Sequence, residues 1–186
     1  KFYKQWVNIS SADINSTKQN VLVVVNSYTS NSYQIKVWNY KTNQIIAEFK
    51  DLDAWINGAF FVDTTTIFAY TKNGTLYSLN IQNQQINKHT GHNNEIISAF
   101  FDDKNSVITT FSADQTIRKW KIYSPFQLLQ NYNDATKIKF SNGGSLIAIL
   151  NQKLNVTDLL GKTKYTSELQ FEPQNIDFTT DRKSVV

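Results

Sequence analysis

Few residues of this chain could do acid–base or nucleophilic chemistry. There are two histidines, His89 and His92, and no cysteine, which excludes a thiol nucleophile, a thiolate metal site and a disulfide framework. His92 and Asp114 are the residue types of a catalytic base and its orienting carboxylate. The chain has no Gly-x-Ser-x-Gly motif, phosphate-binding loop or dinucleotide fingerprint. We therefore expect a protein that is not an enzyme and uses no metal or cofactor, with a loop-built active site as the alternative.

Composition and charge narrow the function classes further. The 186 residues are 40% hydrophobic, 13% aromatic and 18% charged, which is typical of a folded, soluble protein. The net charge of +4 is spread without a run of like charges, so we expect no nucleic-acid partner; a basic rim that binds phospholipid or nucleic acid is the alternative. No apolar run approaches the roughly 18 residues of a membrane span. Absence of cysteine suits a reducing compartment, and we expect an intracellular, cytoplasmic location.

The elements that hold these residues follow a repeat of about forty residues. A short apolar pattern recurs at 35–38, 76–79, 117–120 and 154–157, and its last residues are 41, 41 and 37 apart. A second pattern, an apolar residue followed by a polar turn and a short apolar strand, recurs at 14–21, 61–67, 101–107, 140–146 and 178–185. Its turns contain residues that favour turns, at 63, 102–103, 142–144 and 181. Two landmarks on one period predict an internal repeat.

Each repeat has the pattern of about four short antiparallel strands. In the second repeat the strands 67–70 and 75–79 flank Lys72-Asn73-Gly74, and the Asn-Gly pair predicts a two-residue type I′ hairpin turn. No stretch keeps the helical period of 3.6 residues. Four strands in about forty residues are typical of a β-propeller blade. A β-sandwich is the alternative, but it does not predict two landmarks locked to one period.

We therefore predict an all-β fold of β-propeller blades, each of four antiparallel strands, in part of one propeller domain that spans 1–186. The blades cover approximately 6–52, 53–92, 93–134 and 135–172, with a partial blade at 173–186 and the last strand of a preceding blade at 1–5. The chain starts without Met and its hydrophobic pattern runs on to Val186. We expect a fragment of a longer protein with an incomplete ring, whose remaining blades lie outside it, because an open ring leaves unpaired strand edges.

The third repeat has Gly91 and His92 before its first strand, Thr110 in the second strand, Asp114 in the following turn and Trp120 in the third strand. This set resembles the repeats of the WD-repeat family. That family has a Gly-His before the first strand, a Ser or Thr in the second, an Asp in the following turn and a Trp in the third. The usual Asp after the Trp is Lys121 here.

The resemblance implies a structural role for four of these side chains. Asp114 would accept a hydrogen bond from the His92 ring, which would reach the Thr110 hydroxyl. Thr110 would in turn accept from the Trp120 indole N–H. Buried polar groups without partners cost about 1–3 kcal/mol each, whereas a complete chain of bonds fixes the loop over the sheet. We interpret His92, Thr110, Asp114 and Trp120 as a structural hydrogen-bond clamp.

The other repeats keep the period and lose the motif. The position of Asp114 holds Ser32, Asn73 or Asn151, and no other repeat has a Gly-His. Leu79 and Thr157 stand at the position of Trp120. The repeat period therefore resembles the family over nearly the whole chain, whereas the sequence motif does so in the third repeat alone.

The resemblance also implies where partners bind, on a face built from loops between blades and between second and third strands. From the second strand to the third-strand anchor the first repeat has 17 residues, against 12, 13 and 11 in the others. The extra residues lie in 26–33 and include the contact residues Tyr28, Asn31 and Tyr33; a neutral insertion is the alternative. Trp55 aligns with polar residues, so we predict an exposed hot spot, with packing on the neighbouring blade as the alternative. We expect a protein-interaction scaffold for proteins or peptides, within a larger protein or assembly.

Overall fold

The structure, a computed structural model, describes residues 7–28, 30–50, 52–122, 127–141, 146–158, 161–170, 175–178 and 184–185. The strand predicted at 1–5, the turns predicted at 142–144 and 181 and one residue of the 26–33 segment lie outside these ranges. Within the described residues all regular elements are strands, which confirms the prediction of an all-β chain. No helix in the described part is long and apolar enough to cross a membrane.

Sixteen of the strands form four antiparallel sheets of four strands each. The first sheet has the order β1-β2-β3-β4, with strands Val7–Ile14, Asn20–Ser27, Ser32–Asn39 and Gln44–Phe49. The second has the order β5-β6-β7-β8, with strands Ile56–Phe61, Thr66–Thr71, Leu76–Asn80 and Ile86–His89. The third has the order β9-β10-β11-β12, with strands Ile96–Asp102, Val107–Ser112, Ile117–Lys121 and Gln127–Tyr132. The fourth has the order β13-β14-β15-β16, with strands Lys137–Phe140, Leu146–Leu150, Lys153–Asp158 and Thr163–Glu168.

A shorter fifth sheet pairs β17 (Asp177–Phe178) with β18 (Ser184–Val185). Each four-stranded sheet falls inside one of the four repeats that the sequence predicts. Neighbours in the chain are neighbours in the sheet, as expected where short turns join antiparallel strands.

Alternation of side chains along each strand decides which face of a sheet is buried. In β2, Leu22 and Val24 are fully buried, whereas Val21, Val23 and Val25 point to the opposite face and are only partly buried. Because successive residues of a strand face opposite sides, the first sheet has two apolar faces, and only one of them is fully buried in the core.

The chain divides into two compact units, Lys1–Ser98 and Ala99–Val186. In the first unit the first and second sheets pack face to face, through a cluster that includes Leu22, Val24, Ile35, Ile56, Ala69 and Leu79. In the second unit Ile117 packs with Ile147 and Ile149, and Phe100 stacks on Phe140 at 4.6 Å between ring centroids.

The turn between β6 and β7 corrects one prediction. The Gly74 N–H donates to the Thr71 carbonyl, and Gly74 has a φ of +83°, but Asn73 is not among the residues with positive φ. A type I′ turn needs positive φ at both central residues, so the predicted type I′ turn is wrong. The connection is instead a three-residue loop that closes on Gly74. Gln115 repeats this geometry between β10 and β11, with a φ of +64° and an N–H that donates to the Ser112 carbonyl.

Candidate functional site

Three aromatic side chains from two separate segments meet at one end of the first unit. The ring of Tyr28 lies 4.3 Å from the ring of Trp55 between centroids, at an interplanar angle of 43°. Tyr33 meets Trp55 edge-on, at 6.4 Å and 61°. Tyr28 is 66% exposed, and Trp55 and Tyr33 are half-buried. We call Tyr28, Tyr33 and Trp55 the aromatic cluster.

The segment 26–33 is not the long loop that its length predicts. Asn26 and Ser27 continue β2, and they pair with Tyr33 and Ser32 of β3. The extra residues therefore lengthen a hairpin, because backbone pairing continues through polar side chains once the register is set. Only the short turn between the strands projects beyond the sheet, and Tyr28 and Asn31 lie in it.

Asn31 belongs to this turn and is not one of the three aromatic residues of the cluster. It is exposed and has a φ of +48°, in the left-handed region that Asn adopts more readily than most residues. Asn31 therefore shapes the turn that carries Tyr28. Its role in partner binding stays a prediction.

The sequence predicted Trp55 as an exposed hot spot, with packing on the neighbouring blade as the alternative. The structure shows Trp55 partly exposed and packed, and its role as a hot spot stays a prediction. It is half-buried because it packs on the aromatic side chains of the neighbouring hairpin, as the packing alternative expected. Its packing partner Tyr28 is itself largely exposed. The two rings thus form a surface feature in which Tyr28 offers most of the accessible area.

Backbone hydrogen bonds hold the connection that carries Trp55, between β4 and β5. The Trp55 carbonyl accepts from the Lys72 N–H at 2.8 Å, in the β6–β7 turn. The Leu52 N–H donates to the Tyr33 carbonyl at 3.3 Å. These two bonds fix the connection between the first and second sheets, so Trp55 is presented on a held backbone.

Asp53 adds a polar anchor two residues before Trp55. Its carboxylate accepts hydrogen bonds from the Tyr77 hydroxyl and from the Lys88 ammonium group, and its backbone N–H donates to the Tyr77 oxygen at 3.3 Å. Burial by itself raises the pKa of Asp53, but the bonds from Lys88 and Tyr77 outweigh it and leave that pKa lowered. Burial and the bond to Asp53 raise the pKa of Tyr77 to about 12. At neutral pH the anchor is therefore a carboxylate held by a neutral phenol and a cation.

Sequence reasoning missed this anchor. Tyr77 and Lys88 lie 24 and 35 residues from Asp53, on β7 and β8 of the same repeat. No local spacing marks such a contact, since it depends on how the β4–β5 connection lies against the second sheet. An acidic residue two positions before the aligned Trp55 was the available signal, and it is a weak one.

The structure shows the bond predicted between Trp120 and Thr110, two of the clamp residues. The Trp120 indole N–H donates to the Thr110 hydroxyl at 2.9 Å, and both side chains are buried. This is the bond that the family resemblance implies for this pair. Asp114 accepts from the Thr116 backbone N–H at 3.0 Å and from the Thr116 hydroxyl at 2.6 Å, so it caps the β10–β11 turn.

His92 lies in the first unit and is 6% exposed. Its links to Thr110 and Asp114 stay a prediction. The other histidine, His89, is on the outer strand β8 and half-buried, and its Nε2 lies 3.0 Å from the Ser78 hydroxyl. Burial lowers the pKa of His89, which favours the neutral ring. This places a hydroxyl and a neutral imidazole side by side on adjacent strands.

Lys119 is a buried cation that the sequence analysis did not single out. It is 1% exposed, its Nζ donates to the Asp158 carbonyl at 3.3 Å, and it lies 5.6 Å from the centroid of the Tyr132 ring. Burial lowers its pKa to about 8, although Asp158 and Asp102 act in the opposite direction. A lysine in this setting loses its proton and becomes a neutral amine at a lower pH than an exposed lysine does.

Among the described residues, no group of three or more His, Cys, Asp or Glu side chains is arranged to hold a metal ion. No protein-family model matches the chain, and no curated protein sequence matches it.

Proposed function

We propose that this chain is a non-catalytic scaffold that binds a protein or peptide through the aromatic cluster. One observation carries the proposal. Tyr28 and Trp55, which the sequence selects for unrelated reasons, lie with their ring centroids 4.3 Å apart, and Tyr28 is 66% exposed. Tyr and Trp are enriched at binding hot spots, because they provide a large rigid contact area together with a polar group.

We propose further that the four sheets are blades of a β-propeller of the WD-repeat kind. Three observations support this: four consecutive sheets of four antiparallel strands, face-to-face packing of consecutive sheets within each unit, and the Trp120–Thr110 bond in the repeat that best resembles the family. In such a propeller the aromatic cluster falls on the connection between two blades and on a turn between second and third strands. These are the two kinds of loop with which that family binds partners.

The proposed binding surface is held rather than flexible. Asp53 ties the Trp55 connection to β7 and β8, and Lys72 ties it to the next turn. A surface that is already ordered loses little conformational entropy when a partner binds, so such anchoring favours affinity.

Comparative affinity purification of the full-length protein tests the proposal. The variants are Trp55→Ala and Tyr28→Ala, and Tyr40→Ala is the matched control, because Tyr40 is 49% exposed in another turn of the first sheet, outside the cluster. We expect both cluster variants to lose the partners that the unchanged protein retains, at least tenfold by quantitative mass spectrometry, which corresponds to about 1.4 kcal/mol. The Tyr40→Ala variant should retain them. Equal recovery with all variants would exclude the aromatic cluster as the binding surface.

A further inference from the structure

The first sheet has an apolar face that no described residue of the first unit covers. This open face consists of Ile9, Ala12 and Ile14 on β1 and Val21, Val23 and Val25 on β2. It continues onto β3 at Trp38, which pairs with Val21, and onto β4 at Ile45, which pairs with Trp38. Ile9 is 68%, Ile14 47% and Ile45 52% exposed. On the opposite face of the same sheet, Leu22, Val24, Ile35 and Val37 are all fully buried.

The open face matches, residue for residue, a face of the second sheet that is buried. On β1 and β2 the opposed pairs are Ile9–Val25, Ala12–Val23 and Ile14–Val21. On β5 and β6 they are Ile56–Thr71, Ala59–Ala69 and Phe61–Ile67. Both strand pairs shift register directly after the first pair, between Ile9 and Ser11 and between Ile56 and Gly58. Positions on β1 and β5 thus correspond at an offset of 47 residues, bulge included.

In the second sheet this face packs on the core face of the first sheet. Ile56, Ile67 and Leu79 are completely buried there, and Ala59 is 4% exposed. The same apolar arrangement is therefore covered by a four-stranded sheet in one repeat and exposed in the other. Its shape and chemistry suit a sheet, because a sheet in this position already exists once in the chain.

Polar side chains also repeat along the inner strands. The Ser10 hydroxyl of β1 donates to the Ile56 carbonyl at 2.9 Å, and the Asn57 amide of β5 donates to the Ile96 carbonyl at 2.9 Å. Ser10 and Asn57 correspond at the same offset of 47 residues. In addition, Asn26 donates to the Ile56 carbonyl and accepts from the Ile56 N–H. The residue that corresponds to Ile56 on the first sheet is Ile9.

We propose that the open face binds a four-stranded antiparallel sheet of this same repeat, whose side chain at the position of Asn26 bonds to both backbone groups of Ile9. This rests on the propeller arrangement proposed above and not on partner binding at the aromatic cluster. A second copy of the chain is a poorer occupant. The complementary face, with Leu22, Val24 and Val37, is already covered by the second sheet in each copy.

The charges on the open face agree with an ordered neighbour. Lys36 and Glu48 lie opposite each other beside Val23 and form an ion pair of 3.0 Å, and Glu48 also pairs with Lys50 at 2.8 Å. The corresponding positions of the second sheet are Tyr77 and Lys88, which face the first sheet as a neutral phenol and a cation held by Asp53. The charged side chains beside Val23 are therefore paired with one another within the first sheet.

A tandem chain tests the proposal with the protein's own repeat. Residues 1–55 are placed directly before residues 9–186, so that Trp55 of the added copy precedes Ile9 as Trp55 precedes Ile56 in the chain. We expect amide hydrogen exchange across 9–14 of the second copy to slow at least tenfold relative to the unmodified chain. Binding of a dye for exposed apolar surface should fall in parallel.

Two variants of the tandem chain define the contact. Asn26→Ala in the added copy should remove most of the new protection, and Ile9→Asp in the second copy should abolish it. Asn8→Ala in the second copy is the control and should leave it intact, because Asn8 is exposed. Unchanged exchange at 9–14 would overturn the proposal, including when the added copy fails to fold.

Concentration-dependent self-association of the unmodified chain that Ile9→Asp abolishes would also overturn the proposal, in favour of a second copy. The binding proposal is tested independently, since Trp55→Ala and Tyr28→Ala leave the open face unchanged.

Discussion

The side chain of Asn26 bonds to both backbone groups of Ile56. Its Nδ2 donates to the Ile56 carbonyl at 2.9 Å, and its Oδ1 accepts from the Ile56 N–H at 3.0 Å. Asn26 is completely buried, and Ile56 directly follows Trp55. One buried amide therefore joins the first sheet to the second and fixes the strand that begins after the aromatic cluster.

Replacing Asn26 by alanine should destabilise the protein strongly. The substitution leaves the Ile56 N–H and carbonyl buried without this partner, and we expect the free energy of unfolding to fall by about 2–4 kcal/mol. Urea unfolding followed by circular dichroism measures the loss. Asn8→Ala serves as the control, because Asn8 lies opposite Asn26 in the strand pair but is exposed. Similar losses for the two variants would show that the Asn26–Ile56 contact is not important for stability.

Gly58 should tolerate no side chain while Tyr70 is present. A Cβ at Gly58 would lie 2.4 Å from the Tyr70 hydroxyl oxygen and 2.6 Å from the ring carbon that bears it. We expect Gly58→Ala to cost about 1–3 kcal/mol through overpacking. In a Tyr70→Ala background the same substitution should cost much less, which a double-mutant cycle measures. Additive effects of the two substitutions would contradict this explanation.

The Trp120–Thr110 bond should account for much of the effect of changing Thr110. Thr110→Val keeps the shape of the side chain but removes the acceptor of a buried indole N–H, so we expect a loss of about 1–3 kcal/mol. Trp120→Phe in the Thr110→Val background should then cost less than Trp120→Phe alone. Thermal unfolding of the four proteins in this cycle gives the coupling energy, and a value near zero would mean that the bond does not contribute.

Lys119 should make stability depend on pH in the alkaline range. Its pKa falls from an ordinary value of 10.5 to about 8 in the folded protein, mainly through burial. Between pH 8 and 10.5 the unfolded chain therefore binds the proton that the folded protein releases, and stability rises with pH across this window. The rise attributable to Lys119 is at most about 3 kcal/mol.

Urea unfolding of the unchanged protein and of Lys119→Met at several pH values isolates this effect, because other titrating groups cancel in the difference. The stability of the unchanged protein relative to Lys119→Met should increase from pH 8 to 10.5. Lys121→Met, at an exposed position two residues away, should show no such trend. A difference between wild type and Lys119→Met that is constant with pH would contradict the assigned burial.

The repeats could be predicted from the sequence because they depend on local alternation. Residues such as Leu22 and Val24, or Ile67 and Ala69, recur every second position, and the pattern returns once in each repeat, so strands and their faces follow from period alone. The Trp120–Thr110 bond was predictable because one repeat keeps a recognisable motif.

The rest of the site depends on contacts that no local pattern records. The bonds from Tyr77 and Lys88 to Asp53 span 24 and 35 residues, and they form only when the β4–β5 connection lies against the second sheet. The segment 26–33 was predicted as a long loop because of its extra length, yet the extra residues continue the strand pairing of β2 and β3. The turn at Gly74 differs from its prediction because a glycine in the left-handed region fits more than one hairpin.

Site-specific photo-crosslinking in the full-length protein tests the central claim most directly. A photoreactive phenylalanine analogue replaces Tyr28 in one variant and Tyr40 in another, since both tyrosines are exposed in turns of the first sheet. The account predicts that position 28 crosslinks to a specific partner, that Trp55→Ala removes this crosslink, and that position 40 gives none. Crosslinking to the same partner from position 40 but not from position 28 would contradict the assignment of the aromatic cluster as the binding surface.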